Sequence, residues 1–275
     1  MTISNLDGLI DALANNAQTL IVNRASIANQ LAGGFSSLWR GTGTPAQGAI
    51  PGAAAVCTKA LTGAMSFNNP TDPVKSYIAR GFLVSGNSAT DVQLHDRLAH
   101  MGGLSGTSTG SQTVSVDVSG SSNNLANRRG ASDYSDVQWW VEIYTDIGTT
   151  AVTLTVTYTN AAGTSGRTTT LSIGGASPAN QDSRMFQIIG NGGEFIQSIQ
   201  SVQQSATTGT AGSYGITATR SLCGMSLGLA NAGSVYDWAL LGLPRIHDDA
   251  CLFPIMICGT TSTGTLYGNF KLIQG

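Results

Sequence analysis

Residues 151–173 read AVTLTVTYTNAAGTSGRTTTLSI, and this stretch limits the fold most strongly. Val152, Leu154, Val156 and Tyr158 alternate with Thr153, Thr155, Thr157 and Thr159. Side chains on a strand point to opposite faces in turn, so a period of two gives one apolar and one hydroxyl face. The loop Asn160–Gly166 carries the small residues of a tight turn, and Arg167–Ile173 returns as the second arm of a hairpin. A chain committed to such a hairpin needs further strands to bury its apolar face.

Those strands are legible elsewhere. Tyr77–Val84 is an apolar run. Thr113–Val118 alternates through Val114, Val116 and Val118. Val137–Tyr144 (VQWWVEIY) sets Val137, Trp139, Val141 and Ile143 against Gln138, Trp140, Glu142 and Tyr144. Further strands are expected at Arg184–Ile189, Ile196–Gln203, Tyr214–Cys223, Cys251–Ile257 and Tyr267–Ile273. No long helix alternates with them, which excludes a parallel α/β sheet. The expected fold is all-β, an antiparallel β-sandwich of jelly-roll type.

The amino-terminal quarter reads differently. Residues 4–32 place Leu6, Ile10, Leu13, Ala17, Leu20, Ile21, Ile27 and Leu31 at helical spacing, with Ser4 as N-cap and Gly33-Gly34 as terminator. Residues 35–70 are broken by Gly41, Gly43, Pro45, Gly48, Pro51, Gly52 and Pro70, with one short strand or helix near Val56–Leu61. The organisation expected is a helical arm (1–34), an extended connector (35–73) and a β-sandwich (74–275). Sequence leaves open whether the arm packs on its own domain or on a neighbour.

Charged residues make up 10% of the chain, well under the usual quarter or so, and the net charge is −2. A low-charge Ser/Thr surface suits coverage by other subunits. Arg128-Arg129 is the one basic pair, too little for a nucleic-acid or anionic-membrane footprint. Asp7 and Asp11 precede the first base, Arg24, unlike a secretory leader. No apolar run approaches the roughly 18 residues of a membrane span.

Candidate chemistry is sparse. The stretch Leu94–Gly106 (LHDRLAHMGGLSG) holds two of three histidines. His95 and His100 are five apart, which on a regular strand puts them on opposite faces and off a shared metal. Asp96 and Arg97 read as an ion pair or turn anchor, and Gly102-Gly103 as a bend. Gly-x-Ser-x-Gly occurs at Ser108 and Ser226. Ser226 has Asp237 and His247 after it in hydrolase order, but lacks the strand-to-helix turn and parallel sheet that this chemistry uses. His247-Asp248-Asp249 reads as a solvated turn. Cys57, Cys223, Cys251 and Cys258 lack zinc spacing and read as small buried hydrophobes in the reduced state, with Cys251 and Cys258 on opposite strand faces. Trp140 or Tyr144 could serve a sugar-binding module as a platform. No catalytic residue, cofactor or metal ligand is expected.

Three stretches together carry a family resemblance: LHDRLAHMGGLSG, the hairpin VTYTNAAGTSGRTTTLSI, and GGEFIQSIQSVQQSATTGTAGSYGITATRSL with the ending CLFPIMICGTTSTGTLYGNFKLIQG. They resemble tailed-bacteriophage virion structural proteins over roughly residues 75–275. The resemblance implies a non-enzymatic virion component assembled in the host cytoplasm. Its nearest role is a capsid decoration (cement) or minor capsid protein, a homotrimer seated on the major capsid protein. A tail or baseplate protein and a carbohydrate-binding sandwich are the alternatives. The resemblance brings no site residues with it.

Overall fold

The computed structural model describes residues 3–25, 30–87, 89–261 and 264–275. In chain order the amino-terminal third contains α1 (Leu6–Asn15), β1 (Gln18–Arg24), β2 (Phe35–Ser37), β3 (Gly43–Thr44), β4 (Ala55–Val56), β5 (Ser76–Ser85) and β6 (Thr90–Leu104). Next come β7 (Gln112–Asp117), α2 (Leu125–Arg128), β8 (Val137–Thr145), β9 (Val152–Asn160), β10 (Arg167–Ile173), β11 (Arg184–Ile188) and β12 (Ile196–Gln204). The chain ends with β13 (Ser213–Leu227), β14 (Gly233–Asp237), α3 (Trp238–Leu241), β15 (Arg245–Ile246), β16 (Leu252–Ile257) and β17 (Leu266–Gln274).

All strand pairings are antiparallel, as the alternation implied. The hairpin β9–β10 runs in unbroken register from Tyr158–Arg167 to Val152–Ile173. The sheets pack in layers. One outer sheet has the order β10-β9-β12-β7, the other β14-β5-β17-β1-β3 with β15 beside β5. The middle layer runs β13-β8-β11-β2-β16-β6, and β6 pairs back with β13, closing the six strands into a ring. Closure removes the open edges that a flat sheet would leave.

Three cores follow. Val114, Val116, Leu154, Val156 and Tyr158 of the four-stranded sheet pack against Trp139, Val141 and Ile143 of β8 and Ile216 and Ala218 of β13. Leu20, Val22, Ile78, Phe270 and Leu272 of the other outer sheet pack against Val92, Leu94, Leu252 and Met256. Inside the ring, Trp39, Trp140, Tyr144, Met185, Phe253 and Ile255 form the third core, with Cys57 and Cys251. Thus β8 is buried on both faces, because it lies between the ring interior and an outer sheet.

Among the described residues the helix expected over residues 4–32 is confined to α1. Its N-cap is Asn5, whose side chain accepts from the Gly8 amide, rather than Ser4. Leu9 and Ala12 pack on Ala79 and Ile273. Residues 18–24 are a strand instead, with Leu20, Val22 and Arg24 inward and Thr19, Ile21 and Asn23 outward. β1 pairs with β17 through seven positions, Gln18–Leu272 to Arg24–Leu266. Long-range pairing with the carboxy-terminal strand outweighs weak helix propensity in a stretch rich in Thr, Ile, Val and Asn. Ile27 lies outside the described residues.

The connector is irregular, as its Gly and Pro residues dictate, yet it folds back on its own chain. Arg24 donates to the carbonyl oxygens of Ala46 at 3.2 Å and Gly63 at 2.8 Å. Trp39 Nε1 donates to the Ala49 carbonyl at 2.9 Å. The connector also supplies β2 to the ring and β4 to the flank of β6.

Candidate functional site: a buried ionic network in the ring

LHDRLAHMGGLSG is mostly strand: Leu94–Leu104 form the greater part of β6, a 15-residue strand. Its pairing with β13 slips between Arg97–Thr219 and Ala99–Ala218, so Leu98 is an extra residue on the β6 side. A bulge of this kind shifts the alternation by one. Arg97 and His100, three apart, therefore meet inside the ring, and Arg97 Nε donates to His100 Nδ1 at 2.9 Å. His95 is also buried there, beside Phe253. The opposite-face expectation for His95 and His100 fails for this reason. The bend at Gly102-Gly103 is a second slip within the strand: Gly103 has φ +77°, and a Cβ on Gly102 would sit 2.9 Å from the Tyr144 ring.

Asp96 and Arg97 do not pair with each other, because neighbouring strand positions face apart. Asp96 receives Arg128 through Nε at 2.9 Å and Nη2 at 2.6 Å, and accepts the Cys251 amide at 2.8 Å. Arg97 turns inward and forms a fork with Glu142, both side chains being fully buried. It also donates to the Tyr144 hydroxyl at 2.7 Å and to Thr217 Oγ1 at 3.1 Å. Thr217 in turn donates to Glu142 Oε2 at 2.6 Å. The guanidinium lies 4.5 Å from the Trp39 ring centre and 5.0 Å from that of Phe253. Every polar atom of the pair thus has a partner, which a buried charge requires.

A second chain of hydrogen bonds lies beside the first. Trp140 Nε1 donates to Thr219 Oγ1 at 2.9 Å. Gln93 Oε1 can only accept, so His95 Nε2 carries the proton it receives at 2.9 Å, and Nδ1 of the uncharged imidazole then accepts from the Thr219 hydroxyl at 3.1 Å. The ring is neutral in this arrangement.

Burial works against both members of the ion pair, and their mutual attraction overcomes it. Arg97 stays protonated above its usual range, and Glu142 is held below the usual carboxylate range by Arg97 and by hydrogen bonds from Arg97, Ser37 and Thr217. Burial pushes the Tyr144 hydroxyl up. His95 has no such partner, and burial pushes its pKa down to about 3. In the unfolded chain it titrates near 6.5. Between these values the unfolded state binds a proton that the folded state refuses. Stability is therefore complete above about pH 6.5 and falls towards pH 3, by an amount on the order of 5 kcal/mol. Glu142 acts in the same direction, since its contribution is lost as pH falls through its lowered folded value. Urea midpoints at pH 7 and pH 4 test this. The midpoint should drop at pH 4, and His95→Gln should flatten the change. An equal drop in the variant would assign the acid sensitivity elsewhere.

The other sequence candidates are dispersed. Ser226 lies within β13 opposite Asp91, and its amide is bonded to the Tyr236 hydroxyl. Asp237 caps α3, accepting from the Ala239 and Leu240 amides at 3.0 Å. His247 lines a separate polar cavity with Lys75, Asn124 and Asp248. Ser108 sits in a turn, its amide bonded to the Ser105 carbonyl. Trp140 and Tyr144 are 1% exposed, inside the ring, which removes them as a sugar platform. Trp139 is buried on the opposite face of β8, donating to the Ile196 carbonyl at 2.9 Å. Cys251 and Cys258 enter different cores, as their odd spacing implied, whereas Cys223 is only partly buried. Among the described residues no group of three His, Cys, Asp or Glu side chains could hold a metal ion. Nor is any described helix long and apolar enough to cross a membrane.

Sequence reasoning missed Glu142, Thr217 and Thr219 as partners of β6. One signal was present. The face Gln138, Trp140, Glu142, Tyr144 mixes aromatic and polar residues, as a satisfied buried network would.

No family model matches the sequence, and no curated protein does. Among solved structures, the VP2 subviral particle of infectious bursal disease virus is 9% identical, with 94% of this chain and 80% of that chain covered and a TM-score of 0.21. T=1 particles derived from the same virus give 11% identity, coverage of 94% and 78%, and a TM-score of 0.19. Its Gx strain gives 8%, coverage of 96% and 83%, and 0.20. TM-scores this low carry no weight for fold or function.

Proposed function

We propose that this protein is a non-enzymatic virion structural subunit that works by association with copies of itself and with other virion proteins. The finer reading is a capsid decoration or minor capsid protein of a tailed phage, a homotrimer assembled in the host cytoplasm and seated on the major capsid protein. The resemblance in residues 75–275 points to the virion, and the polar interior supports a scaffold, since its charges are spent on each other.

The observation that carries the reading is where large apolar side chains remain exposed. β14 is the terminal strand of its sheet. Val235 stands outward on it at 49% exposure, with Leu229 at 70% just before it and Leu240 at 68% just after. A terminal strand bearing an apolar flank is a template for another chain. On this reading β14 and α3 form the contact between subunits. The outward face of α1, with Leu6 and Ile10 exposed, supplies a second contact to the lattice. The amino-terminal segment thus keeps a binding role while belonging to its own sheet.

Val235→Arg and Leu240→Arg test this. Both side chains are exposed, so each variant should fold with an unchanged melting temperature. Each is expected to weaken self-association by about 100-fold, because a buried arginine at a contact costs several kcal/mol. Sedimentation velocity over a dilution series reads the change. Association unaltered in both variants would place the contact elsewhere.

A further inference from the structure

Two strands meet end to end along one flank of β6. From one side β4 pairs Ala55 with His100 and Val56 with Ala99, and the Cys57 amide donates to the Leu98 carbonyl at 2.9 Å. From the other, β16 pairs Leu252 with Asp96, and the Arg97 amide donates to the Cys251 carbonyl at 2.8 Å. Cys57 and Cys251 therefore occupy successive places along that flank, opposite Leu98 and Arg97. Both enter the core inside the ring, fully buried. Both thiols belong to one buried cluster, with Trp39 and Phe253. The junction is clamped from behind: Arg128 donates to the Cys57 carbonyl at 2.7 Å, and Asp96 holds both Arg128 and the Cys251 amide.

The surroundings favour reaction at Cys57. His100 hydrogen-bonds its thiol, and Arg97 adds positive charge nearby. Burial works against the thiolate, but the bond from Cys251 and these two groups overcome it, so Cys57 is held well below the usual thiol range. Burial and the neighbouring Cys57 push Cys251 well above that range. His100 also lines a cavity of about 320 Å³ with Trp39, Pro51, Ala55 and Leu61, which brings a small solute as far as the His100 side of the core that holds the pair.

We propose that Cys57 and Cys251 form a peroxide-oxidisable dithiol that closes to a disulfide and ties β4 covalently to the start of β16. The Cys57 thiolate attacks one oxygen of hydrogen peroxide. A sulfur–oxygen bond forms, the oxygen–oxygen bond breaks, and the leaving hydroxide departs as water with the proton Cys57 gave up. Cys251 then attacks the Cys57 sulfenic acid. The sulfur–sulfur bond forms, the sulfur–oxygen bond breaks, and a second water leaves with the Cys251 proton. Two thiols lose two electrons, and one peroxide becomes two waters. The crosslink closes a loop of most of the chain, where a disulfide restricts the unfolded state most.

The test treats the full chain with hydrogen peroxide, quenches it, unfolds it and alkylates it with iodoacetamide before peptide mass mapping. The expected result is a crosslinked pair of peptides containing Cys57 and Cys251, lighter by two hydrogens than the reduced pair. Cys223 and Cys258 should still be alkylated. The melting temperature should rise on the order of 10 °C and return with dithiothreitol. Cys57→Ser should leave Cys251 alkylatable and the melting temperature insensitive to peroxide. Cys57 and Cys251 both fully alkylated after treatment, or joined to Cys223 or Cys258 instead, would overturn the proposal. The wild-type map decides the matter even if the variant does not fold.

Discussion

Replacing Arg97 by alanine is expected to destabilise the protein by about 3–5 kcal/mol, the range for removing one partner of a buried ion pair. Glu142 would be left charged inside the ring, with the Thr217 hydroxyl still donating to it but the guanidinium gone. His100 Nδ1 and the Tyr144 hydroxyl would also lose their donor. For a chain of this size the melting temperature should fall by roughly 10–15 °C. The companion variant Arg97→Met/Glu142→Leu removes both charges and should recover much of that loss, because the penalty lies in the orphaned carboxylate rather than in a missing attraction. Calorimetry on the two variants reads both numbers. A loss below about 1 kcal/mol in Arg97→Ala would mean that water reaches Arg97 and Glu142, contrary to their full burial.

Deleting residues 1–24 should have a still larger effect. The deletion removes β1, which lies between β17 and β3, and strips Leu20 and Val22 from their core. Each fully buried side chain of this kind contributes about 1.5–3 kcal/mol. The seven register pairs with β17 are lost as well, leaving β17 with an open edge. Net stability of a domain is only about 5–15 kcal/mol. The truncated chain should therefore be unfolded or aggregated, with its near-ultraviolet circular dichroism lost. A soluble truncated protein with native dichroism would restore the reading of residues 1–34 as a detachable arm.

The sequence showed the outer layers better than the middle. β9 and β10 face solvent on one side, so hydroxyl residues alternate with apolar ones and the period is plain, whereas β12 buries every third residue, Ile196, Ile199 and Val202, because its register with β9 shifts twice. β8 is buried on both sides, and its two faces still separated cleanly into the two cores they enter. β1 was misread because Ala17, Leu20 and Ile21 satisfy helical spacing while Leu20, Val22 and Arg24 satisfy strand spacing. Only pairing with residues some 250 places away decides between them. The site failed at one residue: the extra Leu98 reverses which side chains of β6 face inward, and a pattern of strict alternation cannot register a bulge. Closure of the ring was equally invisible, since the β6–β13 contact joins segments more than a hundred residues apart.

The central claim is that the molecule is a self-associating structural block whose buried polar residues serve the fold. The most direct measurement is the mass of the full chain in solution by light scattering, over a hundredfold dilution. The account predicts a discrete oligomer, three times the 28.2 kDa chain mass, stable on dilution and disrupted by Leu240→Arg. A monomer at every concentration would contradict it.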